Sequence, residues 1–364
     1  MGEAPLAGVR VVEAASYMSG PWATGILADL GADVVKVEPP GGDPFRRFGR
    51  PTTAYAPAFA NVNRGKRTVV LDLKTDEGVT ALLDHVRDAD VFLSNWRPEV
   101  ADRLGVGDAV LGAANPQLIR LWLSGFGPSG PRSAEPAYDT VIQASAALPH
   151  AISRTGDHEL APGYHVDKVA ASMAAQAVLA ALVLRARTGE GQRVDLAMLD
   201  ALAYFDWPDL MNSRVFIEDQ PDEARNLHAT AQHTLPASDG WFVVAAVTGA
   251  DIRAACDVFG HPEWAKELFS LDHATMTRRM SEHFGSVAPT RSVDDWLELL
   301  AKADVAAARC LTIDEHLADP QVVHNELYRL EEWPGAGRAR SVRYPAVSPE
   351  WGGPLWPGPP PELP

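Results

Sequence analysis

Strand-like apolar runs and helix-period segments alternate along the first half of the chain. "VRVVEAA" (9–15) has the composition of a buried strand, and the loop "SYMSGP" follows it. Pro21 then stands where a first helical turn tolerates proline, and Ala23, Ile26, Leu27 and Leu30 share one stripe of a helix over 21–30 that Gly31 stops. "ADVVKVE" (32–38) supplies a second strand and completes a βαβ unit. The alternation continues through "TVVLDL" (68–73), a helix from about Asp76 to Arg87, and the strands "DVFLSN" (90–95) and "LIRLWLS" (118–124). Such spacing predicts a largely parallel sheet covered on both faces, with ligands at the carboxyl ends of its strands. The segments just past those ends are "SYMSGP", "EPPGGDP", "NWRPE" and "SGFGPSG".

Farther along, Val169 to Leu184 is the most apolar long run, but its 16 residues include Ser172 and Gln176 and fall short of the roughly 20 needed to span a bilayer. It predicts a buried helix in a soluble protein and no membrane partner. "TGEGQRVDLAML" then reads as a turn, a strand and the start of a helix running to about Met211. The charged stretch after residue 213 has few periodic apolar positions and reads as a connector. A second lobe is expected from about His233, with "WFVVAAVT" (241–248) as a strand and several short helices up to Leu300. Eight prolines between Pro345 and Pro364 exclude helix or interior strand there and predict an extended surface arm.

Composition narrows the function. A chain of 364 residues exceeds the size at which single cores stop growing, so two lobes are expected. The 32 Lys plus Arg against 48 Asp plus Glu give a formal charge of −16, which repels polyphosphate backbones, so no nucleic-acid partner is expected. A small anion can still bind through local Arg and Lys residues. Two cysteines, Cys256 and Cys310, imply no disulfide framework; together with an N-terminus that lacks a charged start and apolar signal core, they predict a cytoplasmic protein.

Several motifs carry two readings. "GFGPSG" (125–130) matches G-x-G-x-x-G after a strand, but Pro128 and Pro131 oppose the helix that a dinucleotide site needs, and a plain loop is the simpler reading. No H-E-x-x-H, paired C-x-x-C or G-x-S-x-G occurs, which disfavours metal and acyl-serine chemistry. Arg64, Lys66, Arg67, Lys74, Arg97 and Arg103 border the proposed strand ends; they either hold a phosphorylated ligand or form ordinary surface ion pairs. Asp167, in "APGYHVDKVAASM" (161–173), stands where a loop gives way to the long helix. It either caps that helix or acts as a nucleophile kept ionised by the helix terminus, with Ala170, Ala171, Ser172 and Ala174 leaving room for a ligand.

Taken in order, "PLAGVRVVEAASYMSGPWATGILADLGADVVKVEPPGGDPFR", "NRGKRTVVLDLKTDEG", "ADVFLSNWRPEVADRLG", "LSGFGPSGP", "YDTVIQASAAL", "GQRVDLAML", "ASDGWFVVAA" and "LADPQVV" resemble the class III coenzyme A transferases. That family includes formyl-CoA transferase, carnitine CoA-transferase and the α-methylacyl-CoA racemases. The resemblance implies that Asp167 attacks an acyl-CoA thioester, giving an aspartyl anhydride and then an aspartyl-CoA thioester, with small carboxylic acids as the other partners. It implies no tightly bound cofactor, coenzyme A and acyl-CoA being substrates. It assigns CoA contacts to Tyr17, Leu71, Lys74, Asn95, Trp96, Arg103, Leu104, Ser124 and Gly125, with Tyr138 beside them.

The racemases resembled here carry a His-Asp pair where this chain reads "AYDTVIQ". Tyr138 before Asp139 is a poor base at neutral pH, which favours transfer over racemisation. A chain that only binds CoA is opposed by the intact Asp167. "LHATAQHTLPASDG" lacks the glycine run of formyl-CoA transferase, so an acyl group other than formate or oxalate is expected, with His228 and His233 as candidates for the acyl pocket. His165 and Lys168 face either the acyl group or water. The implied architecture is α/β: a Rossmann-like large domain (1–212), a connector (213–232), a smaller α+β domain (233–310) and a segment (311–364) returning to the large domain. Two such chains interlock as a homodimer, with the site between domains.

Overall fold

A computed structural model describes residues 2–49, 54–153, 157–211, 214–218 and 234–363. Six parallel strands form the main sheet: β1 (Arg10–Ala14), β2 (Asp33–Glu38), β3 (Arg67–Val70), β4 (Val91–Ser94), β5 (Ile119–Ser124) and β6 (Gln192–Ala197), in the order β3-β2-β1-β4-β5-β6. The parallel sheet expected from the alternation is present. Chain direction across the sheet reverses between β1 and β4, whose register pairs Val12 with Phe92. That crevice is where open parallel sheets bind ligands.

Helices α1 (Ser19–Asp29), α2 (Pro57–Asn63), α3 (Asp76–Arg87), α4 (Pro98–Arg103), α5 (Asp108–Ala114), α6 (Asp139–Ser145), α7 (Leu148–Ala151), α8 (His165–Thr188) and α9 (Met198–Phe205) accompany these strands. One face of the sheet sends Val12, Val37, Phe92 and Trp122 into a core shared with Leu82 and Val86 of α3 and Leu111 of α5. On α8, Val166, Val169, Ala170, Ala174, Val178 and Ala181 recur at helical spacing and are buried, and this small-residue stripe lets α1 approach closely. The helix spans 24 residues rather than the 16 of the apolar run, because His165–Lys168 add a first turn and Arg185 and Arg187 a last one before the left-handed Gly189. By length and composition α8 is apolar enough to cross a membrane; in the fold its stripe is core.

The chain divides into two compact units. The first comprises 1–149, 160–206 and 323–364; the second comprises 150–159 and 207–322. The second unit is α+β. It has α10 (Trp207–Leu210), the antiparallel strands β7 (Leu235–Pro236), β8 (Trp241–Ala245) and β9 (Ala306–Arg309), and helices α11 (Gly249–Val258), α12 (Trp264–Leu268), α13 (His273–Val287), α14 (Val293–Lys302) and α15 (Ile313–Ala318). Its core stacks Phe259 on Phe284 and on Trp296. β8 stops at Ala245, earlier than the predicted strand, because Thr248 and Asp251 form a reciprocal cap that starts α11. After α16 (Pro320–His324), a hairpin of β10 (Tyr328–Trp333) and β11 (Gly337–Val342) belongs to the first unit, as does the proline-rich arm. The arm accepts hydrogen bonds from Gly65 N–H at Pro359 and from Arg46 at Pro361.

Candidate active site

The loop leaving β1 is held from two sides. Ser16 N–H donates to Asn95 Oδ1 (3.0 Å) and Asn95 Nδ2 returns a bond to Ser16 O (2.8 Å), tying the ends of β1 and β4 together across the crevice. Tyr17 adopts φ 64°, a left-handed conformation unusual for a side-chain-bearing residue, and its N–H donates to Asp43 Oδ1 at 3.3 Å. Ser19 follows as the first residue of α1 and is buried.

Asp167 lies at the third position of α8, whose N-cap is Tyr164. The expectation that Asp167 caps its own helix is therefore corrected: α8 has no side-chain cap bond, and the Asp167 carboxyl is instead set against the hydroxyl and backbone N–H of Ser19 at the N-terminus of α1, which lower its pKa. Its own N–H donates to Asp139 Oδ2 at 3.1 Å. Asp139 is buried at the first position of α6 and also accepts from Gln143 Nε2 at 2.6 Å. Gln143 in turn binds Ala161 through both N–H and C=O, fixing the approach to α8. Burial and the neighbouring Asp139 charge push the Asp167 carboxyl up to about 6, against the Ser19 donors, which lower it. The helix terminus thus does not keep this acid as freely ionised as the sequence suggested; it is an anion at neutral pH and a proton acceptor just below.

A cavity of about 310 Å3 opens over this carboxylate. Its walls come from the first unit, at the carboxyl ends of β1, β4 and β5, and bring together Tyr17, Asn95, Trp96, Ser124, Gly125, Tyr138 and Asp167. Ser16, Ser19 and Arg97 join them; sequence reasoning had left Ser16 and Ser19 out, although they belong to the flagged loop "SYMSGP". Tyr17 meets Tyr138 edge to face, centroids 5.9 Å apart. Gly125 is required by space: a Cβ there would stand 2.2 Å from Ala137 Cβ. "GFGPSG" forms no helix, in keeping with the plain-loop reading.

A second cavity of about 180 Å3 at the ends of β1, β2 and β3 gathers Leu71, Lys74 and Leu104. Ser16 and Trp96 line both cavities, which makes them a common wall. Arg103, exposed at the end of α4, lines neither.

The proposed basic border separates on folding. Arg64 is buried and paired with Asp29, and Lys66 is buried on Glu13 at 2.7 Å, so neither is free for a ligand or for surface ion pairing. Arg67 opens β3 at the opposite end of the sheet and pairs with Asp33. Of the six, Lys74 and Arg97 line the two cavities at the carboxyl ends of the strands, while Arg67 lines a separate one at the opposite edge of the sheet. His165 packs edge to face on Phe205 and Lys168 is exposed; neither lines the main cavity. His228 and His233 lie outside the described residues. Among the described residues no cluster of His, Cys, Asp or Glu is arranged to hold a metal ion.

Comparison with known proteins shows the family. The family model described as CoA-transferase family III matches residues 6–363. The succinate–glutarate CoA-transferase of Agrobacterium fabrum is 32% identical over 87% of this chain and 83% of its own. The acetyl-CoA:oxalate CoA-transferase of Acetobacter aceti is 33% identical over the same shares, 87% and 83%. The crystal structure of a CaiB/BaiF family protein from Brucella suis superposes with a TM-score of 0.84 at 30% identity, covering 99% of this chain and 96% of that one.

Proposed function

This chain belongs to CoA-transferase family III, and from that membership we propose that it moves coenzyme A between carboxylic acids with Asp167 as the covalent nucleophile. The observation that carries the proposal is a half-buried carboxylate, poised near neutrality, lining a cavity at the sheet's switch point.

An Asp167 oxygen attacks the thioester carbonyl of the donor, the C–S bond breaks, and a mixed anhydride and CoA thiolate form. The thiolate then attacks the Asp167 carbonyl and expels the donor acid, leaving an aspartyl-CoA thioester. An acceptor carboxylate attacks that thioester and regenerates thiolate and an anhydride; thiolate attack on the acceptor's acyl carbon releases new acyl-CoA and frees Asp167. One thioester is present before and after, so no nucleotide is consumed. Tyr17, Asn95, Trp96, Ser124, Gly125 and Tyr138 would surround the thioester end. Leu71, Lys74 and Leu104 would take the pantetheine and phosphate end, passing Trp96 between the two cavities. Arg103 remains a candidate for the outer phosphates.

Exposed Val183, Leu184, Tyr204 and Phe205 leave apolar surface on α8 and α9, which supports the proposed interlocked homodimer; sedimentation at micromolar concentration tests it. A cytoplasmic location belongs to the same proposal. Transfer is tested by incubating the protein with a panel of acyl-CoA donors and free acids in deuterated water. New acyl-CoA species without α-deuterium are expected, and loss of them in Asp167→Ala. Alpha-deuteration with no acyl exchange would establish racemisation in its place.

A further inference from the structure

Beneath the β1–α1 loop lies a cluster of four buried charges that the reaction above does not use. Glu13 Oε1 meets Lys36 Nζ at 2.7 Å and Glu13 Oε2 meets Lys66 Nζ at 2.7 Å, while Lys36 also pairs with Asp43 Oδ2 at 2.9 Å. The side chains are shut off from solvent, and two positive charges balance two negative ones. Burial alone would neutralise such groups, yet Lys36 and Lys66 outweigh it at Glu13 and bring that carboxyl down to about 2. Buried ion pairs of this kind contribute little net stability compared with apolar packing, so their placement calls for another explanation.

Three of the four charged groups spend a bond on the backbone of one short segment, and Glu13 holds the two lysines among them. Lys36 Nζ donates to Ala15 O (2.8 Å), Lys66 Nζ donates to Pro21 O (2.6 Å), and Asp43 Oδ1 accepts from Tyr17 N–H. Glu13 binds both lysines and also Thr24 Oγ1 of α1 at 2.6 Å. Between the two gripped carbonyls stand Ser16 and Tyr17 of the cavity wall and Ser19, which holds Asp167. The residue at the centre, Tyr17, is the one in the left-handed conformation.

We propose that Glu13, Lys36, Asp43 and Lys66 are positioning residues: together they lock residues 15–21 in a strained conformation that presents Tyr17 to the acyl-CoA cavity and Ser19 to Asp167. Asp43 is the element of the lock that faces the strain directly, through the Tyr17 N–H. The functional consequence rests on the cavity being the acyl-CoA site; the conformational lock does not.

The test removes the Asp43 charge with Asp43→Asn and follows two readouts on folded protein. In hydrogen exchange by mass spectrometry, amides of the peptide covering 15–20 exchange at least tenfold faster while the α13 and α14 amides stay unchanged. In steady-state kinetics, KM for acyl-CoA rises roughly tenfold with kcat changed far less. Glycine adopts φ 64° without strain, so Asp43→Asn placed in a Tyr17→Gly background adds little further exchange; should Asp43→Asn unfold, Asp43→Glu, which keeps the charge and displaces the acceptor from the Tyr17 N–H, replaces it in both backgrounds. Equal acceleration in both backgrounds, or acceleration spread over the whole chain, would overturn the lock. A faster loop with no change in KM would preserve the lock and remove its link to acyl-CoA binding.

Discussion

Replacing Asp139 by asparagine isolates the charge that faces Asp167, the proposed nucleophile, while leaving a carbonyl oxygen able to accept the Asp167 N–H. The Asp167 carboxyl lies near 6 rather than 3.8, a difference worth about 3 kcal/mol against the anion, with burial the larger cause and Asp139 the next. Other groups lining the cavity, Arg97, Glu135, Tyr17 and Tyr138, are untouched by the change, as are His165 and Lys168 on α8 itself. Removing the Asp139 charge should therefore lower the Asp167 carboxyl by about one pH unit, toward 5. Only the anion attacks, so the acidic limb of the acylation rate should move down by the same amount. At pH 5 the ionised fraction rises from about one in eleven to about one half, and acylation accelerates about fivefold; at pH 8 both proteins are ionised and the gain disappears. Rapid-quench mass spectrometry of the CoA-loaded enzyme, from pH 4.5 to 8, reads this directly. One oxygen cannot accept from both Gln143 and Asp167, so about 1 kcal/mol of stability should be lost as well. An acidic limb that stays at 6 or moves upward would refute the account of why this carboxyl is raised.

Three further outcomes follow from the same geometry. Asp167→Asn should abolish transfer yet raise thermal stability above pH 6, where the wild-type anion carries a cost of up to about 3 kcal/mol; that advantage should fade as pH drops toward 4, where the folded carboxyl is protonated. Glu13→Gln leaves a buried lysine charge uncompensated and should cost about 3–5 kcal/mol in denaturant melts. Because its carboxyl is held near 2 against 4.5, the wild-type contribution is full above pH 4.5 and lost as pH falls toward 2. Trp96→Ala removes the wall shared by the two cavities and should raise KM for acyl-CoA about tenfold, with a smaller fall in kcat, measured with a saturating acceptor acid.

What the sequence disclosed and what it concealed divide along contact distance. The helix from Asp76 to Arg87 was legible to the residue, since Thr75 caps it locally by accepting from Gly78 N–H and acids fill its first turn. The sheet was legible from alternation, and the loops at its carboxyl edge led to the cavity without knowledge of side-chain geometry. Asp167 reads from the sequence as a cap of its own helix, whereas the polar groups it faces belong to Ser19 of α1, about 150 residues earlier in the chain, and no local pattern records that pairing. Arg64 and Lys66 look like surface cations in "NRGKR". Their partners Asp29 and Glu13 stand 35 and 53 positions away, and only the folded sheet brings them together in a dry interior. Asp139 was noticed as the neighbour of Tyr138, while its reach to the nucleophile's own backbone depends on how α6 meets α8.

The tie between Asp167 and the start of α1 also bears on the energetics of turnover. In the free enzyme an anion is squeezed between a buried carboxylate and a helix terminus, disfavoured by the first and welcomed by the second. An acyl or thioester bond at Asp167 would cancel that charge, ending the repulsion from Asp139 and emptying the anion seat that Ser19 provides. The resting state would then hold the electrostatic tension, and the covalent intermediate would be its release. A nucleophile loaded in this way is raised toward the transition state before any substrate arrives.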